Sequence, residues 1–138
     1  MYGAFVAGLN AGYIMNSFPK MGAQWLPNKT IQLTPIWLNL INNPITVQFI
    51  HRILAIILLI SIVLLSYFIL QQRLSWFQRR AVIFLLFSII FQFILGVITL
   101  VYHVPIYAAI AHQLMALLLL TAIATVYFGM TQHEKKEL

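Results

Sequence analysis

The sequence predicts an all-α membrane protein with three transmembrane helices and a short N-terminal helix. Three observations carry that expectation. Of the 138 residues, 62% are hydrophobic and only 7% charged, whereas soluble domains carry about 25% charged residues. Three apolar stretches, Ile45–Leu70, Ala81–Tyr102 and Ile106–Met130, each exceed the roughly 20 residues needed to cross a bilayer. The basic residues collect at matching ends of these stretches: Arg73, Arg79 and Arg80 between the first two, Lys135 and Lys136 after the third. Three crossings put both clusters on one side, the cytoplasmic or matrix side under the positive-inside rule. Tyr13–Pro44 and His103–Pro105 then lie on the outer side.

The net charge of +6 would raise nucleic acid as a partner in a soluble chain. Here the charges flank apolar spans instead of forming a binding face, so the lipid bilayer is the expected partner and nucleic acid is not. The absence of cysteine excludes disulfides and thiolate metal sites.

Residues 1–15 read as the end of a helix. The apolar part, about 14 residues, would cover only about 20 Å of a roughly 30 Å hydrocarbon core, as if the beginning of a longer helix were missing. Gly3, Gly8 and Gly12 are spaced for close helix packing. Residues 16–44 form an outer loop punctuated by Pro19, Pro27, Pro35 and Pro44. Trp25 and Trp37 suit a lipid–water boundary. Within the loop, "TPIWLNLIN" predicts a short surface helix with Thr34 as N-cap and Pro35 in its first turn. Ile36, Trp37, Leu40 and Ile41 would form its apolar face, Asn39 and Asn42 the opposite one. Residues 45–138 hold the three spans and an inner-side tail.

Ionisable residues inside spans are costly and usually functional. His51 and His112 each lie about six residues in from the outer end of the first and third spans, about 9 Å below the boundary at 1.5 Å per residue. Those spans run in the same direction, so the two imidazoles are level. Aligning His51 with His112 also aligns Ala55 with Ala116. Two level imidazoles on neighbouring helices suit axial ligation of one haem iron. Ala108, Ala109 and Ala116 beside His112, and Ala55 beside His51, leave room for a flat macrocycle. The alternative is that each histidine bonds a serine, a glutamine or a backbone carbonyl within the bundle. Arg52 either snorkels to the surface or pairs with a haem propionate. Gln92 and Gln113 are placed for interhelical hydrogen bonds. His103 stands at the membrane boundary beside Pro105, and His133 in the charged tail. The only carboxylate side chains, Glu134 and Glu137, are in the tail, so no carboxylate acid or base reaches the histidine level.

"GAFVAGLNAG", "NSFPKMG", "NPITVQFIHR", "LGVITL" and "HVP…AHQ" together resemble the heme A synthase family, from Gly3 to about Gln113, in its proteobacterial and mitochondrial branch. The resemblance implies half of an eight-helix, two-bundle fold: the end of the fifth helix and the sixth to eighth. It implies a b-type haem held by His51 and His112 as iron ligands. It also implies a multi-pass location in a bacterial plasma membrane or a mitochondrial inner membrane. The family oxidises a methyl group of heme O to a formyl group, giving heme A for cytochrome oxidase. The catalytic residues, including a glutamate three positions before a histidine, belong to the N-terminal half. That half would be a missing segment or second polypeptide; here Gln48 stands at the equivalent place. Asn10 stands where the family often has Asp. A membrane b-type cytochrome passing electrons, or a non-catalytic remnant, are the other classes these residues fit.

Overall fold

The computed structural model describes residues 2–134, with side chains through Thr131. The side chains of His133 and Glu134, and Lys135, Lys136 and Glu137 entirely, lie outside the described residues. Five α-helices follow one another: α1 (Tyr2–Gly8), α2 (Asn39–Asn42), α3 (Pro44–Leu70), α4 (Trp76–Val101) and α5 (Ile106–Glu134), with 3-10 turns at Ala11–Tyr13 and Ile36–Leu38. The fold class is therefore the expected one: helices α3, α4 and α5 are long and apolar enough to cross a membrane. At 27, 26 and 29 residues, each is about 40 Å long, more than the roughly 30 Å hydrocarbon core. Large apolar side chains such as Ile57, Leu64, Phe87 and Leu117 are exposed, as a lipid-facing surface requires.

Helix α4 is central. It packs along α5 and also on α3, whereas α3 and α5 are not closely packed on each other. The apolar core joins Ile62 of α3, Val82, Leu85 and Ile89 of α4, and Leu119, Ala122 and Val126 of α5. These positions lie toward the end of α3, the start of α4 and the end of α5. The core thus fills the half of the bundle remote from the long loop, and the histidines lie in the other half.

Local chemistry sets the helix ends, and it moves three sequence-based boundaries. Helix α4 starts at Trp76, five residues before the expected Ala81, because Ser75 and Gln78 form a reciprocal capping box. Arg79 and Arg80 consequently belong to the first turns of α4, not to the connection. The N-terminal helix is not continuous to residue 15: Asn10 adopts a left-handed backbone, φ 51°, which a helix cannot accommodate and which asparagine tolerates. The 3-10 turn at Ile36 follows Pro35 with no side-chain cap, so Thr34 does not cap it.

The C-terminus of α4 ends in a Schellman motif. Val104 N–H donates to the Thr99 carbonyl at 2.7 Å, and His103 N–H to the Leu100 carbonyl at 3.2 Å. His103 occupies the left-handed position, φ 60°, where glycine is usual, and its side chain is exposed. Val104 is also left-handed, φ 57°, a strained conformation for a β-branched residue.

The long loop is folded by asparagines. Asn39, 2% exposed, accepts from Gln32 and Leu33 N–H and donates to the Leu33 and Ile36 carbonyls. Its neighbours Ile36, Trp37 and Leu40 are exposed. Asn43 caps α3 by accepting from Ile45 and Thr46 N–H while its amide reaches Asn39 and the Lys29 carbonyl. Thr46 donates to the Thr30 carbonyl. Asn16 donates to the Gly12 carbonyl at 2.6 Å and the Leu100 carbonyl at 2.8 Å. Gly12 lies under Val104: a Cβ there would stand 2.8 Å from Val104 Cγ2. The long loop and the α4–α5 turn therefore meet at one end of the bundle.

Because Asn43 both caps a span and ties down the loop, Asn43→Ala should cost about 1–3 kcal/mol, a lost cap plus unmet buried partners. Asn43→Asp should recover only the capping part. Thermal unfolding of the purified chain in mild detergent measures both.

Candidate functional site

His51 and His112 each lie about two helical turns from the start of α3 and α5, at the loop end of the bundle. Each ring rests against a glycine. His51 Cε1 is 3.7 Å from where a Cβ on Gly3 would stand, an ordinary contact that lets α1 approach α3. His112 is tighter: a Cβ on Gly96 would be 2.9 Å from Cε1 and 3.5 Å from Nδ1. Real Cβ atoms do not come this close, so the ring keeps its place because α4 has no side chain at that point. Gly8, by contrast, meets nothing within 4 Å.

The amide of Gln92 lies 3.4 Å from His112 Nε2, a long hydrogen bond. The second ring nitrogen, Nδ1, is buried without a partner. Gln113 is exposed, and it makes no hydrogen bond among the described residues. The interhelical glutamine bond at this level is Gln92's.

Arg52 sits beside His51 with its guanidinium turned to the loop. Nη1 donates to the Ser17 carbonyl at 2.7 Å, and Nη2 to the Met15 carbonyl at 2.5 Å. Gln48, one turn earlier and 2% exposed, donates to the same Met15 carbonyl at 3.2 Å. Loop residues 15–20 are thus held to α3 by Gln48 and Arg52, and to α4 by Asn16 and an edge-on contact of Phe18 with Phe93.

Among the described residues, six buried side-chain polar atoms have no partner, and four belong to this region: Gln48 Oε1, Arg52 Nε, Gln92 Oε1 and His112 Nδ1. Each such group costs about 1–3 kcal/mol when left unmatched. Four at one end of an apolar bundle point to a polar partner supplied from outside these side chains. No group of three or more metal-ligating side chains occurs among the described residues. A tetrahedral zinc site is therefore not built from them, whereas two imidazoles suffice where a macrocycle supplies the other donors.

Comparison with known proteins decides the family. The family model COX15-CtaA, described as cytochrome oxidase assembly protein, matches residues 1–124. The chain belongs to this family. It is 47% identical over 119 residues to the heme A synthase of Wolbachia pipientis wMel, covering 86% of this chain and 32% of that protein. It is 44% identical over 119 residues to the heme A synthase of the Wolbachia strain from Culex pipiens, covering 86% and 34%. Human heme A synthase COX15 is 43% identical over 119 residues, covering 86% and 29%. The chain thus spans about a third of the length of these relatives. No solved structure matches it.

In this member of the cytochrome oxidase assembly protein family, the two histidines were legible as a level pair. Gly96 and Asn16 were not. The available signal for Gly96 was its place in the "LGVITL" stretch, which does not say what the glycine packs against. Asn16 had no signal, because its partner carbonyl lies 84 residues away.

Two glycine variants separate packing from tolerance. Gly96→Ala should destabilise the chain by about 1–3 kcal/mol, the usual range for overpacking. Gly8→Ala should change it by less than about 0.5 kcal/mol, as is usual away from such contacts. Thermal unfolding of the two variants side by side reads the difference.

Proposed function

We propose that this chain is the C-terminal, haem b-binding half of a heme A synthase, with His51 and His112 as the axial ligands of the haem iron. The observation that carries the reading is the placing of two imidazoles, each about two turns into its span, at the same end of the bundle as four buried polar atoms without partners. The separation of α3 from α5, the two helices that carry the rings, supports it.

Each neighbouring residue has a task in this reading. Gln92 would steady a ligated His112 once its amide turns so that the unmatched Oε1 accepts the imidazole N–H, the usual arrangement behind a metal-bound histidine. Arg52 holds the outer loop through Nη1 and Nη2 and keeps a buried Nε–H free for a haem propionate, a charge-assisted bond. Gln48 stabilises the loop and cannot ionise, so it offers no acid or base. Bound in this way, a b-type haem supplies one-electron transfer.

Oxidation of the heme O methyl group to a formyl group is assigned to residues this chain does not contain. The chain matches only about a third of the relatives named heme A synthase, and it has no Asp or Glu before Glu134. Activity therefore needs the N-terminal half, whether in the same polypeptide or a second one. The expected location is a bacterial plasma membrane or mitochondrial inner membrane, with the end of α5 on the cytoplasmic or matrix side.

Purified in mild detergent, the chain should show a low-spin b-type spectrum on reduction, lost in both His51→Ala and His112→Ala. Haem retained with an unchanged spectrum in both variants would sink the ligand pair. Arg52→Lys keeps the charge but loses the planar fork, and should weaken haem binding roughly tenfold in a titration, the worth of one charged hydrogen bond.

A further inference from the structure

A hydroxyl inside a membrane helix can satisfy itself on a carbonyl one turn back. The threonines of α4 and α5 do so. Thr99 donates to the Leu95 carbonyl at 2.7 Å, and Thr121, Thr125 and Thr131 bond carbonyls of their own helix. Two serines do not. Ser66 of α3 is 0% exposed and Ser88 of α4 1% exposed, and both hydroxyls lack a partner. Their surroundings differ. Ser66 comes fifteen residues after His51, about 22 Å along α3. Ser88 comes four residues before Gln92, one turn away on the same face of α4, and the Gln92 amide lies 3.4 Å from His112 Nε2.

The direction of helical side chains joins Ser88 to Gln92. Long side chains on a helix lean toward its N-terminus, over the residues three and four back. The Gln92 amide therefore leans over the turn that carries Ser88. Gln92 Oε1 is itself buried without a partner, so two unmatched polar groups stand on successive turns of one face. A ligated His112 needs an acceptor for its N–H, and Gln92 supplies one by presenting Oε1. The amide NH2 must then find an acceptor of its own. Leu85 and Ile89, the core residues nearest to Ser88 in the chain, offer none. Ser88 Oγ has free lone pairs, and its own proton can turn to the carbonyl one turn back, as that of Thr99 does. Without the hydroxyl, the turned amide would leave a buried donor unmatched, a cost that sets the amide against this orientation.

We propose that Ser88 is a positioning residue for the haem-ligating His112: its hydroxyl accepts from the Gln92 amide and so holds Gln92 Oε1 on the imidazole N–H. The inference rests on His112 being an iron ligand. An oxygen acceptor held on the N–H makes the imidazole a more basic ligand and favours the ferric over the ferrous haem.

The whole chain, purified in mild detergent and loaded with haem b, tests this by redox titration and by haem titration. Ser88→Ala should raise the reduction potential and weaken haem binding roughly fivefold, the worth of one neutral hydrogen bond. Ser66→Ala removes an equally buried, equally unmatched hydroxyl and should change neither quantity. In a Gln92→Met background, Ser88→Ala should have no further effect, because it acts through Gln92. Thermal unfolding of the haem-free variants checks that each is folded. A potential in Ser88→Ala equal to that in Ser66→Ala, or an effect of Ser88→Ala that persists beside Gln92→Met, overturns the proposal alone. An unaltered chain that takes up no haem, or a spectrum unchanged in His112→Ala, overturns the ligand reading and this inference with it.

Discussion

A polar group inside hydrocarbon has no water to turn to, and that single constraint organises the molecule. Where the chain is regular, the helices satisfy their own backbone. Where it stops being regular, a capping side chain or a tight backbone turn takes over. Asn43 and the Ser75–Gln78 pair cap the starts of α3 and α4, and the turn at His103 closes the end of α4. Asn39 and Asn43 serve the carbonyls and amides of the loop. The same accounting is what makes the histidine region conspicuous. There the sums fail: among the described residues, four of the six buried polar atoms without partners lie at this end, on α3, α4 and α5, and the other two are the Ser66 and Ser88 hydroxyls.

The distribution of the core follows from the same division of labour. Apolar side chains gather at the end remote from the loop, where the spans need only each other. Association there rests on van der Waals fit, because lipid is as apolar as leucine. At the loop end the helices are held by point contacts: a glycine under each histidine, Gln92 across to α5, and Arg52 and Asn16 tying the loop to two spans.

Arg52 shows how two roles can coexist in one residue. An arginine two turns into a span is costly on its own. Its loop bonds answer for Nη1 and Nη2 but leave Nε buried and unmatched. The guanidinium ends on the Ser17 and Met15 carbonyls of the long loop. The charge is stabilised by carbonyls brought to it, and the loop's position over the outer half of the bundle depends on that charge.

Much of the fold was legible in the sequence, because span length, apolar composition and the placement of arginines are one-dimensional properties. The three spans, the long loop between α1 and α3, and the level pair His51 and His112 follow from counting along the chain. Boundaries set by side-chain chemistry were less legible. The start of α4 at Trp76 depends on a reciprocal bond between Ser75 and Gln78, and the break after α1 depends on a left-handed Asn10. What only the tertiary structure decided are the relations between distant residues: Gly96 beneath His112, Asn16 on the Leu100 carbonyl, and Arg52 on the loop. Hydropathy records how much of each helix prefers hydrocarbon. Which faces meet, and which polar atoms are left without partners, is settled only when the helices pack.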